Sequence, residues 1–509
     1  MAKIRVHEKA LAHLSRGLYR SPASAIRELV SNAWDANATE IRIGTNYPNF
    51  LEVRVEDNGD GFTKDEFDKL MGGGIGTSAK RPQREPLAHN RPLIGRLGIG
   101  MLGVAQICGG FTIISCPRVG SGFRARVTLY DLLKERLDDN DEMLVKTQEV
   151  DVGEYQFETF DSQALRHGTV LVADDVHPTF ARSFQQSVRF EHYREPPLDW
   201  SKALDIVSKV RSLQELGDYW RLLWELSAAC PVPYLHENAL PDQLVAEEQR
   251  KLLSYNFKVL VDGIQLFKPV FLRDNPGGYT TYKIAPQTNK VYGRDLTFHG
   301  YIVVQEGVQL RPDELRGILL RVKNVAVGYY DPSMLDYRIN EGPRSRWLTG
   351  EILIEDGLED ALNIDRDSFN RFHPEFRAVQ ECVHRTLHEK VFPAVYRQID
   401  VRSQTRARQK QETQTKRLKD VIANTVEVPV VIQDQTGATT GELPHATVKR
   451  TKTELAVTLP ALASIETKSA NRQLAGAVLA LFELAMKETS QEKQRKVFTR
   501  LLLELLARW

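Results

Sequence analysis

The sequence predicts an α+β protein built of several domains, and three observations carry that reading. Apolar residues recur at helical spacing in an early segment and again across residues 179–254. Runs that alternate apolar and polar residues, the pattern of half-buried strands, follow each of these helical segments. The chain has 509 residues, 42% hydrophobic and 27% charged, which is ordinary for roughly two to four packed domains.

The bulk composition narrows the function classes. The formal charge of +1 gives no global bias toward nucleic acid or membranes. Cys108, Cys116, Cys230 and Cys382 are scattered and form no C-x-x-C pair, which fits a reducing compartment and argues against a zinc ribbon or a disulfide scaffold. The first residues lack a long apolar core, so no secretory leader is expected. No stretch approaches the length of apolar sequence that a membrane helix needs. A cytoplasmic protein without membrane contact is expected.

Residues 1–20 are expected to form a helix or arm leading into a first motif helix. That helix has a good start, because Ser21 can cap free N–H groups and Pro22 suits the first helical position. Glu28, Asn32 and Asp35 fall at i, i+4 and i+7 and line one side, while Ile26, Leu29, Val30 and Trp34 supply apolar surface. A carboxylate and an amide on a packed helix need partners, which a hydrated metal and a phosphate can supply. Strands are predicted at 41–43, 51–56, 111–115 and 125–129. The second ends in Asp57-Asn58-Gly59-Asp60-Gly61, a further carboxylate held by glycines that let a ligand approach. Taken alone, either segment also reads as a solvent-facing helix or an ordinary Asp-Gly loop. Between the second and third strands lies a long glycine-rich region, 71–110. Its Gly95-Arg96-Leu97-Gly98-Ile99-Gly100 precedes an apolar run that reads as a helix start, where backbone N–H groups make an anion site. No G-x-x-x-x-G-K-[ST] is present in the sequence, which disfavours a P-loop fold.

In combination and order, these segments resemble motifs I and II of the GHKL ATPases, the superfamily of gyrase, the ninety-kilodalton heat-shock chaperones, sensor histidine kinases and MutL. Glu28, Asn32, Asp35 and Ala36 match E-x-x-x-N-x-x-D-A, and Asp57, Gly59 and Gly61 match D-x-G-x-G. The resemblance implies a Bergerat ATP-binding sandwich, helices on a mixed β-sheet, with ATP and Mg²⁺ as cofactors. It implies that Glu28 polarises the attacking water, that Asn32 binds Mg²⁺ and that Asp57 accepts a hydrogen bond from the adenine amino group. Region 71–110 then resembles motif III with the ATP lid: Gly95, Gly98 and Gly100 wrap the phosphates, and Lys80 of Gly76-Thr77-Ser78-Ala79-Lys80 either approaches them or is an ordinary solvated lysine. Thr169, in His167-Gly168-Thr169, resembles the motif IV residue that closes the adenine pocket.

Residues 179–254 read as mainly helical, with Trp220, Leu223 and Trp224 on a core face and Pro231 and Pro233 as terminators. Residues 256–400 turn to strands, including a strand pair near 316–328. The run 350–369 resembles the chaperone middle domain, where a strand leads to a loop whose arginine reaches the γ-phosphate. The matching position is Arg366, with Asp365 and Asp367 departing from the family's Ser and Glu; a surface salt bridge to either aspartate is the alternative for this arginine. Residues 401–420 carry a net charge of roughly +5, which suits a solvated linker or a nucleic-acid contact. Short strands are expected in 427–460, and a helical hairpin in 474–509.

The expected domains are therefore 1–250, an ATP-binding domain with lid and helical extension; 251–400, a transducer-like α/β middle domain; and 401–509, a basic linker and helical end. The resemblance implies an ATPase whose lid closes and whose N-domains pair in a homodimer. Three uses of such a clamp are open: chaperone-like remodelling of a protein client or partner subunit, a DNA-associated role like that of MutL or the MORC proteins in repair or phage defence, and a non-catalytic nucleotide sensor. ATPase stimulation by DNA separates the first two.

Overall fold

The computed structural model describes residues 2–6, 21–72, 87–94, 100–129, 150–161, 166–188, 199–235, 243–269, 278–306, 309–339, 344–363 and 367–397, with parts of 404–497. The chain divides into two compact units, Met1–Pro393 and Ala394–Trp509.

The first unit holds two sheets. Nine strands form the larger: β1 (Ala2–Val6), β2 (Glu40–Gly44), β3 (Val53–Asp57), β4 (Gly110–Cys116), β5 (Gly122–Leu129), β6 (Val150–Phe160), β7 (Gly168–Ala173), β8 (Lys258–Val261) and β9 (Ile264–Gln265). Their order across the sheet is β1-β6-β5-β4-β7-β3-β2-β8-β9. Neighbours run antiparallel except β2 and β8, which are parallel. β5 buries Phe123, Ala125 and Val127 and exposes Arg124 and Arg126, the alternation of a sheet with one covered face. The N-terminal arm is thus partly a strand, paired with β6, where a helix or arm was expected. The pair β8–β9 extends the first sheet beyond residue 250, because Phe257 and Tyr255 pack edge-on against Trp34 at 5.2 and 5.1 Å.

The helices are α1 (Pro22–Asp35), α2 (Lys64–Gly72), α3 (Pro178–Val188), α4 (Trp200–Lys209), α5 (Asp218–Ala229), α6 (Gln243–Ser254) and α7 (Pro374–Thr386). Ser21 caps α1 by accepting from the Ser24 N–H, with Pro22 in the first turn. Tyr219, Trp220, Leu223 and Trp224 of α5 are buried, as their spacing requires. Among the described residues, no helix is long and apolar enough to cross a membrane. The four cysteines are free and buried.

The second sheet has the order β10 (Tyr279–Val291), β11 (Arg294–Gln305), β14 (Leu348–Asp356), β12 (Gly317–Val322) and β13 (Val325–Asp331). One apolar core runs from α1 and the first sheet through α5 to Tyr301, Leu319, Ala326 and Tyr330 of the second. A buried ionic knot joins the layers. The Glu351 carboxylate takes two bonds from Arg321, at 2.7 and 3.0 Å, and one each from the Tyr234 and Tyr330 hydroxyls at 2.7 Å. Arg321 also donates to the Ala228 carbonyl at the end of α5. The guanidinium holds the Glu351 carboxyl down to about 2 against the burial that would raise it.

In the second unit, β15 (Val430–Asp434), β16 (Thr447–Arg450) and β17 (Leu455–Leu459) form a small sheet in the order β15-β17-β16, where short strands were expected. Most of the basic stretch 401–420 and of the terminal segment 474–509 lies outside the described residues.

Candidate nucleotide-binding site

The site grows from α1. Twelve of its fourteen residues are buried, including Glu28 and Asp35; the exceptions are Pro22 and Asn32. Beyond Pro22 at its first turn, Asn32 is therefore the one gap in an otherwise sealed helix. Its side-chain amide has no hydrogen-bonding partner among the described residues, although a half-buried amide has two donors and an acceptor to satisfy.

Asp35 lies one turn further on and is 3% exposed. Its Oδ1 accepts the Ile94 N–H at 2.8 Å, so this carboxylate fastens the chain entering the glycine-rich segment. Neighbours reinforce that attachment. Trp34 Nε1 donates to the Pro92 carbonyl at 2.8 Å, and Asn37 Oδ1 accepts from the Ala88 N–H at 2.8 Å. The buried Arg91 donates to the carbonyls of Ala38 and Tyr255. Downstream, a 3-10 helix, Gly100–Gln106, packs against α1, so the glycine-rich segment returns to the same helix at Gly100.

The turn after β3 is pressed against the same, C-terminal end of α1. Asp57 Oδ1 accepts the Gly59 N–H at 2.8 Å. A Cβ on Gly59 would stand 2.6 Å from the Ala36 carbonyl oxygen, which also accepts from the Asp60 N–H. Gly61, at φ +64°, turns the chain onto Cys116, where a Cβ would again lie 2.6 Å from a carbonyl oxygen. Register then places Thr169 of β7 directly across from Asp57. The adjacent Gly168 permits this, since a Cβ there would come within 2.1 Å of the Asp57 carbonyl oxygen. Burial pushes the Asp57 carboxyl up to about 6, opposed by the N–H groups of Gly59 and Thr169. A half-buried carboxylate bonded to backbone N–H groups retains lone pairs for an incoming amino group.

The third cluster surrounds Glu28, which is 7% exposed. It borders a small cavity with Leu93 and Ile94 and, from the turn between β12 and β13, Lys323. Arg27 Nη2 lies 4.0 Å from Glu28 Oε1, and Arg27 Nη1 lies 2.7 Å from Asp367 Oδ1.

The structure thus brings Ala36, Asp57, Gly59, Gly61 and Thr169 together, and joins them through α1 to Asn32, Asp35, Glu28 and Gly100. Lys80, Gly95, Gly98 and Arg366 lie outside the described residues. Asp367, considered above as a surface partner for Arg366, is buried and bonded to Arg27 and Ser24. Sequence reasoning passed over Arg27, Arg91 and Asn37. Arg27 did carry one signal: a basic residue among apolar ones on the inward side of a packed helix needs a buried anion.

The fold and the site define a class. Residues 19–169 match the family described as histidine kinase-, DNA gyrase B- and HSP90-like ATPase, and so form a GHKL-type domain. A putative type II restriction enzyme HgiDII of Herpetosiphon aurantiacus is 36% identical over 107 residues, 21% of this chain and 16% of that protein. The DNA mismatch repair protein MutL of Anoxybacillus flavithermus is 41% identical over 68 residues, 13% of this chain and 11% of that protein. The MutL of Bacillus cytotoxicus is 37% identical over 68 residues, 13% and 10%. The likeness to these proteins spans only a small part of their length.

Proposed function

We propose that this protein is an ATP-hydrolysing clamp of the GHKL type that acts on DNA or together with a DNA-acting partner. The observation that carries the ATP reading is the unsealed position on α1, Asn32, on the same helix that abuts the Asp57–Gly59–Thr169 cradle. The residues fit a magnesium nucleotide. The Asn32 amide oxygen would hold the ion, whose chemistry is to neutralise charge on phosphate oxygens. Asp57 accepts from the adenine amino group, Thr169 closes that pocket, and backbone N–H groups of the segment ending at Gly100 meet the phosphates. Glu28 orients the attacking water. In this reading nucleotide-bound copies pair as a homodimer, the closed form being favoured by its additional contacts with the nucleotide.

The DNA half of the reading is supported by the relatives, which are named as a restriction enzyme and as mismatch repair proteins. A chaperone-like action on a protein client, the first expectation from the 350–369 run, draws no such support from them. The deciding experiment is steady-state ATP hydrolysis with and without DNA at two salt concentrations. The proposal expects stimulation by DNA that weakens as salt rises. Hydrolysis indifferent to DNA, with no salt-sensitive DNA binding, overturns the DNA half. Absence of ATP binding overturns the whole.

A further inference from the structure

Away from the nucleotide site, Glu248, His299 and Glu355 bring three metal-ligating atoms to within 4.8 Å of one another. They come from three elements, α6, β11 and β14. His299 lies across from Leu353, and a register shift leaves Glu355 as the extra residue of a bulge, a device that re-aims a side chain. The imidazole stands between the carboxylates, with Nε2 3.9 Å from Glu248 Oε2 and Nδ1 3.8 Å from Glu355 Oε1. Both distances are too long for hydrogen bonds. Glu248 is 4% exposed, and its Oε1 is sealed from solvent with no hydrogen-bond partner among the described residues. A buried carboxylate oxygen without a donor is costly, and a bound cation relieves it. Lys251, one turn along α6, donates instead to both oxygens of Glu355 at 2.6 Å. The buried Lys268 acts on Glu248 through its charge, but its Nζ has no hydrogen-bond partner among the described residues.

We propose that Glu248, His299 and Glu355 form a binding site for a divalent transition metal ion of the Zn²⁺ or Mn²⁺ kind, which clasps α6 to the second sheet. One imidazole with two carboxylates suits such ions better than it suits Ca²⁺ or Mg²⁺, which prefer shells made of oxygen alone. Ligand atoms about 2.0–2.2 Å from an ion stand about 3–3.5 Å from each other, so the three groups close by about 1 Å. The ion takes one imidazole nitrogen and the buried Glu248 carboxylate, and it draws Glu355 away from Lys251. That exchange costs little, because the Lys251 and Glu355 side chains are 34% and 36% exposed and a released ammonium regains water. Water fills the remaining coordination position, as it does at other sites with three protein ligands. Lys251 and the ion compete for Glu355, so removing the lysine charge strengthens metal binding. The clasp involves no nucleotide and stands independently of the ATP reading.

The test is calorimetric titration of Zn²⁺ into the full, metal-stripped chain without nucleotide, with thermal unfolding followed alongside. The expected result is a single tight site per chain and a rise of a few degrees in melting temperature. Glu248→Gln and His299→Ala should each weaken that site by about a hundred-fold or more and remove the rise. Lys251→Met should bind Zn²⁺ at least several-fold more tightly than wild type. A wild-type chain that takes up no Zn²⁺ overturns the proposal. So does a site that keeps its affinity in either Glu248→Gln or His299→Ala, the mark of adventitious binding elsewhere, and so does weaker binding by Lys251→Met. If circular dichroism shows that Glu248→Gln does not fold, Glu355→Gln, at an exposed position, is read instead. It should weaken the site by about ten-fold, and an unchanged affinity overturns the proposal.

Discussion

Replacing Asp57 by Asn separates what the site costs the fold from what it gives to a ligand. Burial raises the Asp57 carboxyl from 3.8 to about 6. Because the folded value lies above the unfolded one, the stability tied to the protonated form is fully present below pH 3.8 and is lost as pH rises through about 6. Near neutral pH the ionised group therefore costs the nucleotide-free fold about 3 kcal/mol, at about 1.4 kcal/mol per pH unit. Asparagine removes that charge and keeps an oxygen for the Gly59 N–H. It also turns one acceptor into a donor facing the Thr169 N–H, a loss of about 1 kcal/mol. The charge effect wins, leaving the variant about 1–2 kcal/mol more stable, or a few degrees in melting temperature. Nucleotide binding moves the opposite way, because the carboxylate that accepts the adenine amino group is gone. Differential scanning fluorimetry with and without Mg²⁺ and ATP reads both effects. The reasoning is refuted if Asp57→Asn melts below wild type without nucleotide, or if it keeps the full ATP-induced rise. In the wild type, the same protonation weakens ATP affinity as pH falls through about 6, which calorimetry across that range checks.

Glu28→Ala should bind ATP with near wild-type affinity and turn it over about a hundred-fold more slowly or worse, and a steady-state assay that finds wild-type turnover removes Glu28 from the chemistry. Asp35→Ala leaves the Ile94 N–H without its acceptor, so urea unfolding should show a loss of about 1–3 kcal/mol, and calorimetry a weakened nucleotide affinity as the glycine-rich segment loses its anchor. Arg321→Met strands the buried Glu351 carboxylate and should cost about 3–5 kcal/mol in urea unfolding. Adding Glu351→Met should recover most of it, since a buried ion pair replaced as a whole costs far less than one broken.

Much of the candidate site could be read along the chain. Glu28, Asn32 and Asp35 share a side of α1 because helical geometry fixes residues four and seven apart. The turn from Asp57 to Gly61 follows from its glycines, and the strand pair expected near 316–328 is found at Gly317–Val322 and Val325–Asp331. Some signals were present but passed over. Val150–Phe160 alternates as Glu154-Tyr155-Gln156-Phe157-Glu158 and became a long strand, and the arm at Ala2–Val6 alternates in the same way. Other features had no local signature. Nothing near Asp35 says that its acceptor serves Ile94, and nothing in 258–265 says that this hairpin joins the first sheet.

The sequence by itself determined the spacing of the polar groups on α1, the glycine turn behind β3 and the order in which they occur. These depend on covalent geometry over a few residues, which one helical turn or one tight turn already sets. The tertiary structure alone decided that Thr169 faces Asp57, that Asp35 ties down the glycine-rich segment, and that Arg27 pairs with the distant Asp367. Ser24 and Asp367 are 343 residues apart. Contacts at such separation depend on which strands pair and which sheets share a core, and a local pattern carries no record of that.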